Sequence, residues 1–339
     1  MAACAAAVAA GGVATPAHAA GWIVVRPGQS VQAAVDAAQP GDTVLVLPGT
    51  YPGSVRMTKP DVTLRGTSAG TAVLTPAADP GTDTCATAGD GICVTGAAGV
   101  RISDLTVTGF DHYGIWATGT DRLTVSGVRA DDNGQYGIGQ EKSTRARLTD
   151  NQADGNGEAG IFVANTVTEE GGAIDTQGTV ISDNTLTGNH MGLVVRRLRD
   201  LTVEGNAADG NCAGMFLVGD ENTPHAGDMT IDGNTVTANN AYCAATSRLP
   251  YVQGAGIVLT GVEDTTLTRN SVTDNVGDSP LSGGIVLFPS FVGIPNSDDT
   301  VRANLLHGNG PADLADHDHG TGNTFTGNDC QVSLPAGRC

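Results

Sequence analysis

The 339-residue chain carries 17 basic and 36 acidic residues, a formal charge of −19. That balance excludes nucleic acid and anionic membrane surfaces as partners, because both would repel it. Outside the N-terminus no apolar run approaches the ~18 residues of a membrane span, and with 40% of residues hydrophobic the 48 glycines read as tight turns rather than disorder.

Residues 1–19 are Ala-rich and end in Ala17-His18-Ala19, an A-x-A cleavage pattern. They are expected to be a secretory signal peptide ahead of a domain spanning 20–339. The first basic residue is Arg26, so the charged start of that peptide is expected upstream of Met1. A disordered Ala-rich tail is the plainer alternative. Cys4 would leave with the peptide, and the mature chain keeps Cys85, Cys93, Cys212, Cys243, Cys330 and Cys339. An even set in a secreted chain implies disulfides. Cys85–Cys93 and Cys330–Cys339 are expected to clip local loops, and Cys212–Cys243 to tie a coil to an insert; other pairings stay open.

Residues 28–38 place Val31, Ala34, Val35 and Ala38 at helical spacing behind Ser30, a good N-cap. Pro40-Gly41 then turns the chain into strands at Val44–Leu47, Val62–Leu64 and Val73–Leu74, followed by a polar loop over 76–92. A helix here would cover the exposed edge of whatever stacks behind it.

From Val100 the chain repeats. Met191–Cys212 reads as one coil: Gly192 opens the run Leu193–Val195, Leu201–Val203 follows, and Asn206 and Asn211 stand five residues apart. The same pair recurs at Asn151/Asn156, Asn184/Asn189, Asn234/Asn239, Asn270/Asn275, Asn304/Asn309 and Asn323/Asn328. A period of about 20–50 residues calls for a repeat architecture. The runs are too short for helices and rich in Val, Ile, Leu and Thr, so each coil supplies strands that pair with the next, ~4.8 Å away. Two physical reasons suit asparagine to the bend: tolerance of left-handed φ, and side-chain amides that hydrogen-bond up a stacked column.

This pattern covers most of 22–339 and resembles the right-handed parallel β-helix proteins of the pectin-lyase-like superfamily. The resemblance implies an all-β, single-stranded right-handed parallel β-helix with an N-terminal capping helix. It also implies a substrate cleft on the sheet of Gly-opened strands. Inserts at 165–178, 219–228, 240–254, 276–283 and 289–299 would wall that sheet. The closing segment, 320–339, resembles that of actinobacterial secreted β-helix proteins. No activity carries over residue by residue. The Asp-Pro-His-Glu run of alginate epimerases is missing, Asp111-His112-Tyr113 being a faint echo, as are the polygalacturonase and pectate-lyase patterns.

Two residues before each strand glycine the chain reads His112, Gln135, Glu158, His190, Cys212, Gly254 and Ser282. Glu158 and His190 fall one rung apart, where a carboxylate orients a base and raises its basicity. The plainer reading is solvated turn polarity. Outward strand positions include Trp116, Phe162 and Phe216, and Tyr113 and Tyr136 fall on the same sheet or its rims; such rings suit sugars or, more plainly, pack under the inserts. Glu141 lies farther along the strand, too far from Glu158 for a paired-carboxylate hydrolase. Lys142, Arg145 and Arg147, with Arg196, Arg197 and Arg199, would form a basic strip at one edge of the groove. Ion pairing to nearby acids is the alternative. Asp313, Asp316, His317, Asp318 and His319 resemble metal ligands, but alternation splits them between two faces, and no metal site is assigned.

The reading is a monomeric secreted protein acting on an acidic polysaccharide or oligosaccharide by lyase or epimerase chemistry. His190 is the base and Glu158 its orienting partner. His112, Gln135, Glu141, Lys142, Arg196, Arg197, Trp116, Phe162 and Phe216 bind substrate. A calcium requirement is left open, since no specific motif speaks for it. The alternatives are a non-catalytic glycan-binding or cell-surface protein, and an enzyme on an apolar small molecule.

Overall fold

A computed structural model describes residues 19–79, 81–247 and 249–339. The signal-peptide segment lies, except for its last residue, outside them, as does Cys4. Among the described residues the chain winds through three parallel sheets of eleven, twelve and ten strands. One coil shows the order: Tyr136–Glu141 in sheet I, Arg147–Thr149 in sheet II, Gln152–Asp154 in sheet III, then Ala159–Ala164 back in sheet I. The solenoid expectation holds, and the stacking register is regular: Ile115, Ile138, Ile161, Leu193, Met215, Ile257 and Ile285 form one inward column. All are essentially inaccessible to solvent, so each coil buries its apolar side chains only by having neighbours above and below.

The helix forms where expected, over Val31–Ala37. The Ser30 hydroxyl accepts from the Ala33 N–H at 3.1 Å, and Val31, Ala34 and Val35 are buried on the open end of the first coil. The three expected disulfides are present, with Cα separations of 5.8 Å for Cys85–Cys93, 5.9 Å for Cys212–Cys243 and 5.3 Å for Cys330–Cys339.

Asparagines form two buried ladders. One runs Asn151, Asn184, Asn206, Asn234, Asn270, Asn304 and Asn328 at the bend between sheets II and III. The other runs Asn133, Asn156, Asn189, Asn211, Asn239, Asn275 and Asn309 at the bend before sheet I. At Asn206, Oδ1 accepts from the backbone N–H of Asn184 at 3.0 Å and from its Nδ2 at 2.8 Å. Its own Nδ2 donates to the Ile181 carbonyl at 2.9 Å and to Asn234 Oδ1 at 3.0 Å.

Of the two reasons for asparagine, only the amide column operates. No described asparagine has a left-handed backbone; the residue before each ladder asparagine does, as at Asp150, Asp183, Asp132 and Asp274, or at Gly205, Gly210 and Gly233. The turn strain is taken one position earlier, which leaves the asparagine free to aim its amide inward. Asn323 belongs to neither ladder: Asn328 continues the column of Asn304, while Asn323 accepts from the Asp299 N–H at a different bend.

The strand glycines fit against the second ladder. A Cβ on Gly137 would sit 2.8 Å from Asn156 Nδ2 and 2.8 Å from the Gly160 carbonyl, so the requirement is space rather than φ. The second ladder ends on an acid, and a neighbouring acid caps an asparagine at another bend. Asp313 Oδ1 accepts from Asn309 and its Oδ2 from the Gln331 and Val332 N–H groups, while Asp318 accepts from Asn296. Asp316 pairs with Arg338 at 2.9 Å. The carboxylates that resemble metal ligands in the sequence are thus engaged by amides and an arginine.

Replacing Asn206 by Ala leaves the Asn184 amide groups buried without an acceptor, at about 1–3 kcal/mol per stranded group. Asn206→Ala is therefore expected to lower unfolding free energy by at least ~2 kcal/mol in urea titrations, whereas Thr202→Ala on the outer surface should stay within ~0.5 kcal/mol. A second expectation concerns Asp299, fully buried and accepting from the Thr265 N–H at 2.9 Å. Burial pushes its carboxyl up to about 8, and Asp318, Asp264 and Asp298 add to the shift. A carboxyl raised on folding stabilises below its unfolded value, and that contribution is lost as pH rises through about 8. The melting temperature should fall between neutral pH and pH ~9. Asp299→Asn should flatten that fall, since an amide keeps the acceptor without the charge.

Candidate functional site

The column before the sheet I glycines is a backbone ladder. The Gln135 N–H donates to the His112 carbonyl at 2.7 Å, Glu158 to Gln135 at 2.8 Å, and Cys212 to His190 at 3.1 Å. Met191 N–H donates to the Glu158 carbonyl at 2.8 Å, which sets His190 on the rung after Glu158. His112 and Glu158 are exposed, Gln135 and His190 half-buried, and Cys212 is sealed in its disulfide.

A second column stands beside the first, one residue closer to the glycine: Asp90, Tyr113 and Tyr136, followed by Ala159. Gly137 and Ile138 both face the interior, so strand alternation breaks at the glycine, and Tyr136 emerges on the outer face. Period-two counting from the glycine therefore passes over these tyrosines. The signal that would find them is the residue just before each strand glycine. Tyr113 stacks on Trp116 at 4.5 Å and on Tyr136 at 5.0 Å, and Tyr136 stacks on Phe162 at 4.3 Å with the rings 4° from parallel. Trp116 lies over the next coil where Gly139 leaves room; a Cβ there would come within 2.6 Å of the indole.

The Tyr136 hydroxyl donates to the Glu158 carboxylate, and burial with this carboxylate pushes its pKa well above the ordinary phenol value. Tyr113 is pushed up to about 12 by burial and then by Asp90, Glu158 and Glu141. Both phenols are neutral acids across the physiological range. Burial lowers the His190 pKa, and Glu158 opposes the shift in part, so His190 stands as the neutral base at pH 7. Asp90, buried beside the Cys85–Cys93 disulfide, is raised to about 6 by burial and accepts from the Tyr113 N–H at 3.3 Å.

The inserts cover much of the outward apolar stripe. Phe162, Val194 and Phe216 are buried, and Val258 and Val286 are inaccessible in a cluster with Val252 and Leu281 from the 240–254 and 276–283 inserts. Of the three aromatics expected to meet substrate, Trp116 remains half-open; Phe162 and Phe216 lie in this packed layer.

The expected basic strip is dispersed. Lys142 pairs with Glu169 at 2.9 Å. Arg197 is 8% exposed and is clamped between Glu170 and Asp220, tying two inserts together. Arg199 pairs with Glu263 at 2.7 Å. Arg196 stays near the site, close enough to act on the Tyr136 phenol, while its Nη1 donates to the Thr166 carbonyl at 3.3 Å. Glu141 accepts from the Thr118 hydroxyl at 3.4 Å and the Val167 N–H at 3.1 Å, anchoring the 165–178 insert. The structure thus groups His112, Gln135, Glu158, His190, Tyr113, Tyr136 and Trp116 on one strip, with Arg196 and Glu141 at its edge.

The family model for the right handed beta helix region matches residues 78–170 and 173–334. Among solved structures the chain is similar to the A-module of a mannuronan C-5 epimerase from Azotobacter vinelandii, at 18% identity and TM-score 0.58, covering 89% of this chain and 92% of that one. It is similar to an alginate lyase from a Paenibacillus species at 17% identity and TM-score 0.57, covering 89% and 99%. It is also similar to the Dettilon tailspike protein at 13% identity and TM-score 0.57, covering 91% and 68%. No curated protein matches it in sequence.

Removing Arg197 leaves Asp220, whose side chain is 9% exposed, without its cation. Arg197→Ala is expected to cost about 3–5 kcal/mol, the usual range for breaking a buried pair, read as a drop in the urea midpoint.

Proposed function

The chain belongs to the right-handed β-helix family, and on that footing we propose that it acts outside the cell on an acidic polysaccharide, by lyase or epimerase chemistry. The observation that carries this is the cluster of Tyr136, Glu158 and His190 at the open end of the aromatic strip. A lyase and an epimerase share a first step, removal of the proton next to a uronate carboxylate. That step needs a neutral base, and burial supplies one in His190. Glu158 stabilises the imidazolium that forms and holds the Tyr136 hydroxyl. The second step needs a proton donor: to the leaving glycosidic oxygen in a lyase, to the opposite face of the same carbon in an epimerase. The neutral phenols of Tyr113 and Tyr136 are the donors on the strip. Trp116, with Tyr113, offers the ring surface against which a sugar stacks, and Arg196 at the edge attracts a neighbouring carboxylate. The names of two structural neighbours denote mannuronan epimerisation and alginate lysis, which agrees with this reading; the fold is what the likeness supports. Three disulfides fit an oxidising, extracellular setting.

A second reading, non-catalytic glycan binding, draws on the half-open, stacked rings of Tyr113 and Trp116 alone. His190→Ala separates the two. On a polyuronate panel in D2O, followed by absorbance of unsaturated product and by deuterium uptake at the sugar carbon, the variant should lose ~100- to 10,000-fold in rate. Its melting should match the parent. Parent activity should fall on the acid side with a midpoint below 6.5, because burial lowers the pKa of the base from that value. Full turnover in a normally melting His190→Ala protein would remove the assignment.

A further inference from the structure

The arginines absent from the sheet I strip gather elsewhere. On the outer face of sheet II, Arg101, Thr124 and Arg147 stand in one column on successive rungs. Arg101 and Arg147 are thus roughly 9.6 Å apart, twice the ~4.8 Å spacing between strands. Arg122 and Arg145 project from the bends leading into the same strands, both with left-handed backbones. Together with Asp61 and Gln177 they line a groove of about 570 Å³. Its wall at one end is the bulge between Asp175 and Thr179 in the long strand Ile174–Ser182. The groove spans six successive coils, from Gly41 to Gly178, or roughly 24 Å along the solenoid axis.

The charge of this groove opposes that of the protein. Asp121 neutralises Arg145 through two 2.7 Å hydrogen bonds and also meets Arg122 at 3.0 Å. Among the described residues Arg101 and Arg147 make no ion pair and no side-chain hydrogen bond. Both are exposed on a floor that also carries Thr63 and Thr124. Two unpaired guanidiniums on one column, in a chain of formal charge −19, are a local reversal of sign. Guanidinium forks match carboxylates, and threonine hydroxyls match sugar hydroxyls. Among the described residues no aromatic ring lines the groove to stack a nucleobase, and the acidic surroundings repel a densely charged nucleic acid.

We propose that this groove is a second, non-catalytic binding site for a linear carboxylated polysaccharide, laid along the solenoid axis with its carboxylates on Arg101 and Arg147. The proposal rests on the acidic-polysaccharide reading of the previous section. It places a holding site on a different sheet from the reacting one, so that a long chain is retained between events at His190.

Affinity electrophoresis in gels cast with long-chain polygalacturonate or polymannuronate tests it, with dextran as the uncharged control. The full chain should be retarded by the polyuronates and not by dextran. In Arg101→Ser/Arg147→Ser the apparent affinity should fall about tenfold or more, with a shallower dependence on salt. Turnover of a short oligouronate should be unchanged. His190→Ala should bind the long polymer as the parent does. A parent that is not retarded, equal retardation by dextran, or a double variant that binds like the parent each overturns the groove assignment. If the double variant binds normally while His190→Ala loses turnover, only the groove fails. If it loses binding while no variant makes product, the groove stands and the enzymatic reading fails.

Discussion

The hydrogen bond on which this molecule depends runs from one asparagine amide to the next. A single coil buries nothing on its own; it is one turn of chain around an apolar column. Stacking brings the strands into pairing distance, but the bends between sheets would strand backbone groups in the interior. The side-chain amides occupy those bends. Each donates to an interior carbonyl of the preceding coil and to the amide oxygen of the following one. From Tyr136–Glu141 onward in sheet I and from Gln152–Asp154 onward in sheet III the strand register is thereby tied to a side chain, and these sheet I positions are glycine because the amides occupy the neighbouring space.

That same register makes the candidate site. Coil stacking converts residues more than twenty positions apart in sequence into neighbours one rung apart, so an imidazole, a carboxylate and two phenols meet on a strip with no loop needed to bring them together. The inserts then limit access. They pack over the stripe from Phe162 toward Val286 and leave the Tyr113–Trp116 end half-open, so the chemistry sits where the covered surface gives way to the exposed one. Burial at that boundary lowers the basicity of His190 and raises the phenols.

Much of the fold was legible because it is periodic. Gly-Ile-x-Val runs and paired asparagines recur at coil length, and the cap helix and three disulfides followed from local signals. The rung order His112, Gln135, Glu158, His190 was legible for the same reason. Two things were not. The tyrosines could be placed on the sheet or its rims but not as a stacked outward column, because alternation assumes a regular pleat, and Gly137 breaks it. The basic strip was misplaced because Lys142, Arg145 and Arg197 adopt left-handed backbones at the sheet edge, which turns their side chains away from the strand face. A pattern of charges along a sequence carries no information about such a flip. At the asparagine bends the position that takes positive φ and the position that holds the amide are adjacent, and residue preference alone does not separate them.

The Asn133 ladder ends on Asp313, and that ending has a direction. Every amide above it both gives and takes a hydrogen bond, so the column transmits the same polarity from coil to coil. A carboxylate only takes. Asp313 receives Asn309 on one oxygen and the backbone of the closing segment on the other, and it has no N–H to offer a further turn. A gene that lengthened this protein by copying coils could insert them anywhere before that aspartate and keep the column continuous. A copy placed after it would start with an unmet acceptor. Exchanging one nitrogen for one oxygen thus works as a stop codon written in the interior, and it sets how far this amide column can grow.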